Sequence, residues 1–182
     1  MASLKLPVTH EDHIQGSETA PVSLVEYGDY ECPHCAHAYS VIKRVQKHFG
    51  KKLSFVYRNF PLNQIHPQAE SAAETAEFAG AQGKFWAMHD RLFENQERLG
   101  EELYSELAEE LSLSSTELLQ ALEEGKYTSR VRADFSGGVR SGVNGTPTFF
   151  INGIRHDGPP DYESIVLAIQ ERLTEPRSSA SA

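Results

Sequence analysis

The segment VSLVEY alternates in side-chain direction, with Val22, Leu24 and Glu26 on one face and Ser23, Val25 and Tyr27 on the other, which predicts a strand over about 22–27. From Pro33 to His48 the apolar positions Ala38, Val41, Ile42, Val45 and Phe49 recur every three or four residues, and Gly50 follows as a stop signal. That spacing predicts an amphipathic helix. LSFVYRNF then reads as a second strand, so strand, helix and strand follow within about forty residues, the signature of a βαβ unit with parallel strands. A long helical region runs from Pro67 to about Gly142, with helical periodicity in HPQAESAAETAEFAGAQG, KFWAMHDRLFENQ, EELYSELAEELS, SSTELLQALEEG and TSRVRADFSGGVRSG. About five helices are expected there. TFFING is a short apolar run ended by Asn152 and Gly153, a hairpin signal, and the helical DYESIVLAIQERL closes the chain.

The pattern is α/β: βαβ, a helical insertion over about 65–142 between the second and third strands, then ββα. The expected organisation is a polar N-terminal segment at 1–20 that contributes little to the core, one domain over 21–173, and a flexible solvated tail at 174–182.

Composition removes several function classes. A chain of 182 residues with 39% hydrophobic content supports one conventional core. With 26 acidic against 17 basic residues and a formal charge of -9, it repels phosphate backbones and anionic bilayers, so neither nucleic acid nor membrane insertion is expected. The N-terminal stretch lacks the apolar run of an export signal, which points to the cytoplasm for the chain as written, or to a periplasmic or extracytoplasmic site if a signal has been removed.

Only two cysteines occur, and they stand three apart in ECPHC, at the start of the first helix. Cys32 at an N-cap, followed by Pro33 at the first helical position, places its sulfur beside unsatisfied amides and the positive end of the helix dipole, which favours the thiolate. His34 can add a hydrogen bond or a charge. Asp29 and Glu31 oppose this, but as solvated charges at ~10 Å each would cost only about 0.4 kcal/mol. Cys32 is therefore the expected nucleophile. Cys35 lies one turn further on the same face, within reach of a disulfide, and can resolve a mixed disulfide at Cys32. A zinc site from Cys32, Cys35, His34 and His37 lacks the second ligand pair that structural sites draw on, so no metal and no cofactor are expected. Glu26 points where its apolar neighbours point, as a candidate buried carboxylate that exchanges a proton with Cys35.

Together VEYGDYECPHC, FVYRNFPL, GKFWAMHDRLFENQ and SGVNGTPTFFING, spread over about 20–172, resemble the DsbA-like branch of thioredoxin-fold thiol:disulfide oxidoreductases. The resemblance implies a thioredoxin-like fold, Cys32 as exposed nucleophile and Cys35 as buried resolving thiol. It further implies Thr146-Pro147 as a cis-proline loop that offers backbone to a substrate chain, and Glu26 as the buried acidic position. Its CPHC members tend to be oxidising. Expected partners are protein or peptide thiols and disulfides, with an unidentified redox partner. Two other classes stand beside this one: a redox-regulated interaction module without turnover, and a kappa-type glutathione transferase, whose sites usually use Ser.

Overall fold

The computed structural model describes residues 2–174. A five-stranded sheet forms its centre, in the order β1 (His13–Gln15), β3 (Leu53–Asn59), β2 (Val22–Gly28), β4 (Thr148–Ile151), β5 (Ile154–Arg155). β2 (Val22–Gly28) and β3 (Leu53–Asn59) are parallel and joined by α1 (Pro33–Phe49). Parallel strands need such a crossover, and the buried Ala38, Val41, Ile42 and Val45 of α1 supply the stripe that seats it on the sheet. β4 (Thr148–Ile151) runs antiparallel to β2, and β5 (Ile154–Arg155) antiparallel to β4. The two are linked through Asn152 and Gly153, with φ of 48° and 79°, the left-handed pair a two-residue hairpin turn requires. α7 (Tyr162–Thr174) closes the described chain. The tail expected at 174–182 lies, beyond Thr174, outside the described residues.

The insertion consists of five helices: α2 (Ala69–Gly80), α3 (Phe85–Glu94), α4 (Glu101–Glu110), α5 (Ser115–Glu123) and α6 (Thr128–Arg140). Five alanines of α2 are buried, and their small side chains let neighbouring helices approach it from several sides. The two faces of the sheet carry separate cores. One holds Val22, Leu24, Phe55, Tyr57 and both cysteines, packed with α1, α7 and much of the insertion. The other holds Val25, Tyr27, Val56, Phe60, Val143 and Phe150. α6 covers this second face closely because it carries Gly138: a Cβ there would sit 2.7 Å from the Phe60 ring and 3.0 Å from Tyr27.

Residues before 20 are not the passive segment expected. β1 (His13–Gln15) pairs antiparallel with β3, Ser3 bridges Ile154, and Arg58 of β3 donates to the Leu6 and Pro7 carbonyls and the Asp12 carboxylate. A three-residue strand with His13 and Gln15 at its ends has too few positions to show a two-residue period. Its pairing is encoded in β3, forty or more residues away.

Candidate active site

Cys32 has extended backbone (φ -72°, ψ 122°) and caps α1, while Pro33 occupies the first turn, where its missing N–H costs no hydrogen bond. Both cysteines are free thiols. The Cys32 carbonyl accepts the first-turn amides of Cys35 (3.0 Å) and Ala36 (3.1 Å). Its thiol donates to the Thr146 carbonyl at 3.5 Å, across 114 residues of sequence. Thr146-Pro147 is a cis peptide bond, and the loop that carries it therefore lies against the nucleophile candidate.

Neither sulfur is broadly exposed. Cys32 is 4% exposed and Cys35 0%, so the expectation of an exposed Cys32 is corrected to a residue with a narrow opening, the more accessible of two buried thiols. The Thr146 loop leaves no wide approach, and a helix-start pattern carries no information about what covers the helix end.

The two thiols are pushed apart in acidity. Cys32 is brought down from 9.0 to about 5, first by the hydrogen bond it receives from the Cys35 thiol, against the cost of burial, and then by the Thr146 side-chain hydroxyl and the backbone amides of Cys35 and His34. Its sulfur makes no strict capping hydrogen bond, yet lies near enough to those amides for them to favour the anion. Burial moves Cys35 well above its ordinary range, helped by its hydrogen bond to Cys32 and the nearby Glu26 charge. His34 and His37 side chains are exposed, and neither makes a hydrogen bond among the described residues. Of the two contributions expected of His34, a hydrogen bond or a charge, the imidazole makes no hydrogen bond to the sulfur among the described residues, and the His34 amide lies beside it. Among the described residues no three His, Cys, Asp or Glu gather as a metal site.

Glu26 is 2% exposed and its Oε1 has no hydrogen-bond partner among the described residues. Burial, reinforced by the charge of Cys32, lifts its carboxyl from 4.5 to about 8. Strand pairing sets it opposite Tyr57 on one side and Phe149 on the other. The surroundings are aromatic: Tyr30 and Tyr57 rings lie 5.2 Å apart, Tyr57 and His89 4.6 Å. Tyr30 Oη and His89 Nδ1 are hydrogen-bonded at 3.0 Å, and burial keeps His89 neutral by lowering its pKa far below 6.5.

Asp29 overturns the expectation of a solvated carboxylate. It is 1% exposed and accepts hydrogen bonds from the Glu31 amide (2.8 Å), the Leu62 amide (2.9 Å) and His66 Nδ1 (2.8 Å). These tie the approach to α1 to the loop that follows β3. Sequence reasoning also passed over His89, Tyr57 and Gln96. Tyr57 could have been flagged by its alternation within LSFVYRNF; Gln96 lies in the insertion and carries no local signal.

A family model described as Thioredoxin matches residues 8–171. The fold superposes on the crystal structure of oxidised BdbD from Bacillus subtilis with a TM-score of 0.87 at 26% identity, covering 96% of this chain and 99% of that one. It superposes on α-DsbA1 from Wolbachia pipientis with a TM-score of 0.79 at 21% identity, covering 92% and 93%, a likeness of fold. In sequence, the chain is 40% identical over 167 residues to a protein named Na(+)/H(+) antiporter NhaA 1 of Salinispora arenicola, a match over 91% of this chain and 26% of that protein. The chain thus spans about a quarter of the length of such relatives. No helix among the described residues is long and apolar enough to cross a membrane.

Proposed function

The chain belongs to the Thioredoxin family, in its DsbA-like branch of thiol:disulfide oxidoreductases, and from that premise we propose that it exchanges a Cys32–Cys35 dithiol/disulfide with protein or peptide substrates through a mixed disulfide at Cys32. The observation that carries this reading is the opposed acidity of two thiols one turn apart, Cys32 lowered to about 5 and Cys35 raised well above 9.0.

In the oxidising direction a substrate thiolate attacks Cys32 Sγ, and the Cys32–Cys35 bond breaks. The electron pair leaves on Cys35, which is buried and needs a proton, and Glu26, whose burial keeps its carboxyl protonated above its ordinary range, supplies it. A second substrate thiolate then attacks the substrate sulfur of the mixed disulfide and releases Cys32 as a thiolate. In the reducing direction the same steps run backwards, with Glu26 taking the Cys35 proton. A stabilised Cys32 thiolate is a good leaving group and favours the dithiol form, which supports an oxidising poise. Pro33 sets the first turn, the His34 amide faces the sulfur, and the Thr146-Pro147 loop offers the edge along which an extended substrate chain lies.

Turnover of a dithiol peptide tests this reading. Cys32→Ser should abolish exchange, and Cys35→Ser should accumulate a mixed disulfide at Cys32. A Cys32→Ser variant that still turns over would overturn it.

A further inference from the structure

The four residues Asp29 to Cys32, which lead into α1, are gripped on one side by the loop that follows β3 and on the other by the helical insertion. On one side Asp29 accepts from Leu62 and His66, and Glu31 Oε2 accepts the Gln68 amide at 2.5 Å. On the other, Gln96 Nε2 donates to the Tyr30 carbonyl at 2.8 Å and to the Cys32 carbonyl at 2.9 Å. Both acceptors are carbonyls, so the side-chain amide must present its nitrogen, and its two hydrogens match the two acceptors.

We infer that Gln96 is a positioning residue for the nucleophile, holding the Cys32 carbonyl so that the Cys32 sulfur stays against the amides at the start of α1. The Cys32 carbonyl is the acceptor for the first two amides of the helix, from Cys35 and Ala36. Fixing that carbonyl fixes the peptide plane between Cys32 and Pro33, and with it the direction from the sulfur to the His34 and Cys35 amides. The Asp29 side of the grip is rigid, with a fully buried carboxylate side chain satisfied by three donors. The Gln96 side is a single half-buried side chain on the short turn Gln96–Arg98. It is therefore the adjustable contact, and the insertion acts on the chemistry through it.

The inference rests on Cys32 being the attacking thiol, and its test reads that thiol without turnover. Alkylation of the reduced protein by iodoacetamide is followed against pH for the wild type, Gln96→Met, Gln96→Lys and the neighbouring surface control Glu97→Ala. Met keeps the length and loses the donors. Loss of a hydrogen bond of ordinary strength should raise the Cys32 titration midpoint by roughly half to one pH unit and slow labelling at pH 5 roughly two- to fivefold. Gln96→Lys keeps a donor and should leave the midpoint at or below the wild-type value, as Glu97→Ala should leave it in place. A Gln96→Met protein whose midpoint is unchanged, whatever its melting temperature, would show a merely structural contact and overturn the inference. So would a Gln96→Lys midpoint that rises with that of Met. Failure of the wild type to turn over a dithiol peptide would instead strike the functional reading and leave the alkylation comparison standing.

Discussion

Glu26 and Asp12 face opposite sides of one sheet, both nearly shut off from water, and their surroundings differ in kind. Glu26 stands opposite Tyr57 and Phe149, its Oε1 is unpartnered, and burial, reinforced by the Cys32 charge, lifts the carboxyl to about 8. Burial alone would also raise Asp12, but Arg58 reverses that: Nε and Nη2 meet its two oxygens at 2.8 and 2.9 Å, and the carboxyl ends below its ordinary value. All five Arg58 donors are used, the rest on the Leu6 and Pro7 carbonyls and Tyr27 Oη. On the Glu26 side, at the edge of the sheet, Asn59 donates to Asp134 and to Glu77, and His13, opposite Tyr57, pairs with Glu77 at 2.9 Å. A fold that meets both Asp12 oxygens with Arg58 and leaves Glu26 Oε1 without a donor treats the two carboxylates differently. The first holds the N-terminal segment to the sheet; the second lies near enough to Cys35 for its charge to raise that thiol, and it is the carboxylate to which the proposed reaction gives the Cys35 proton.

The largest way to break this contrast is to remove the Arg58 side of the clasp. Arg58→Met leaves the Asp12 carboxylate, 7% exposed, without its counter-charge, and loss of one partner of a buried pair costs about 3–5 kcal/mol. Denaturant titration should show that loss, while the Cys32 alkylation midpoint stays where it is. A loss below about 1 kcal/mol would mean the clasp is not structural.

The opposite substitution should have the opposite sign. Below pH 4.5 the Glu26 carboxyl is protonated in folded and unfolded chains alike. As pH rises, the unfolded chain ionises while the folded one keeps its proton, so Glu26 lowers stability progressively up to about pH 8 and no further. Glu26→Leu should therefore be more stable than the wild type by about 3 kcal/mol at pH 7, with the gain vanishing toward pH 4. It should also slow resolution by Cys35 in single-turnover exchange. A stability difference independent of pH would show that Glu26 titrates normally.

These sites were unequally legible in the sequence. α1 and its capping cysteine could be read because Pro33, the three-to-four spacing and Gly50 are all local. Asn152-Gly153 fixed the hairpin for the same reason, and Glu26 was exposed as an oddity by the two-residue period of β2. β1, the clasp, Asp29 and Gln96 were not legible, because each depends on a partner distant in sequence. An aspartate among polar neighbours reads as solvated until the Leu62 amide and His66 are found against it. The low exposure of Cys32 was hidden in the same way, since its cover comes from Thr146.

The smallest predicted effect is the sharpest on which carboxylate belongs to the cysteines. Reduction adds two electrons to the disulfide, and between about pH 5 and 8 it should add one proton, on Cys35, because Cys32 remains a thiolate and Cys35 stays protonated. One proton per two electrons is a slope of roughly 30 mV per pH unit, steepening below the Cys32 value, where a second proton is taken up. The Cys32 charge is one cause of the raised Glu26 carboxyl, and the disulfide form lacks that charge. Over a short interval just below pH 8, reduction should therefore also protonate Glu26, and the slope there should approach roughly 60 mV per unit. Glu26→Leu should straighten that interval. Asp134→Asn should not, although burial raises Asp134 to about 6, because its partners are Asn59 and Arg130, and Cys32 is not among the causes of its shift. A steep interval that survives Glu26→Leu, or that moves with Asp134→Asn, would place the coupled proton away from Glu26 and remove the role that sets this carboxylate apart from Asp12.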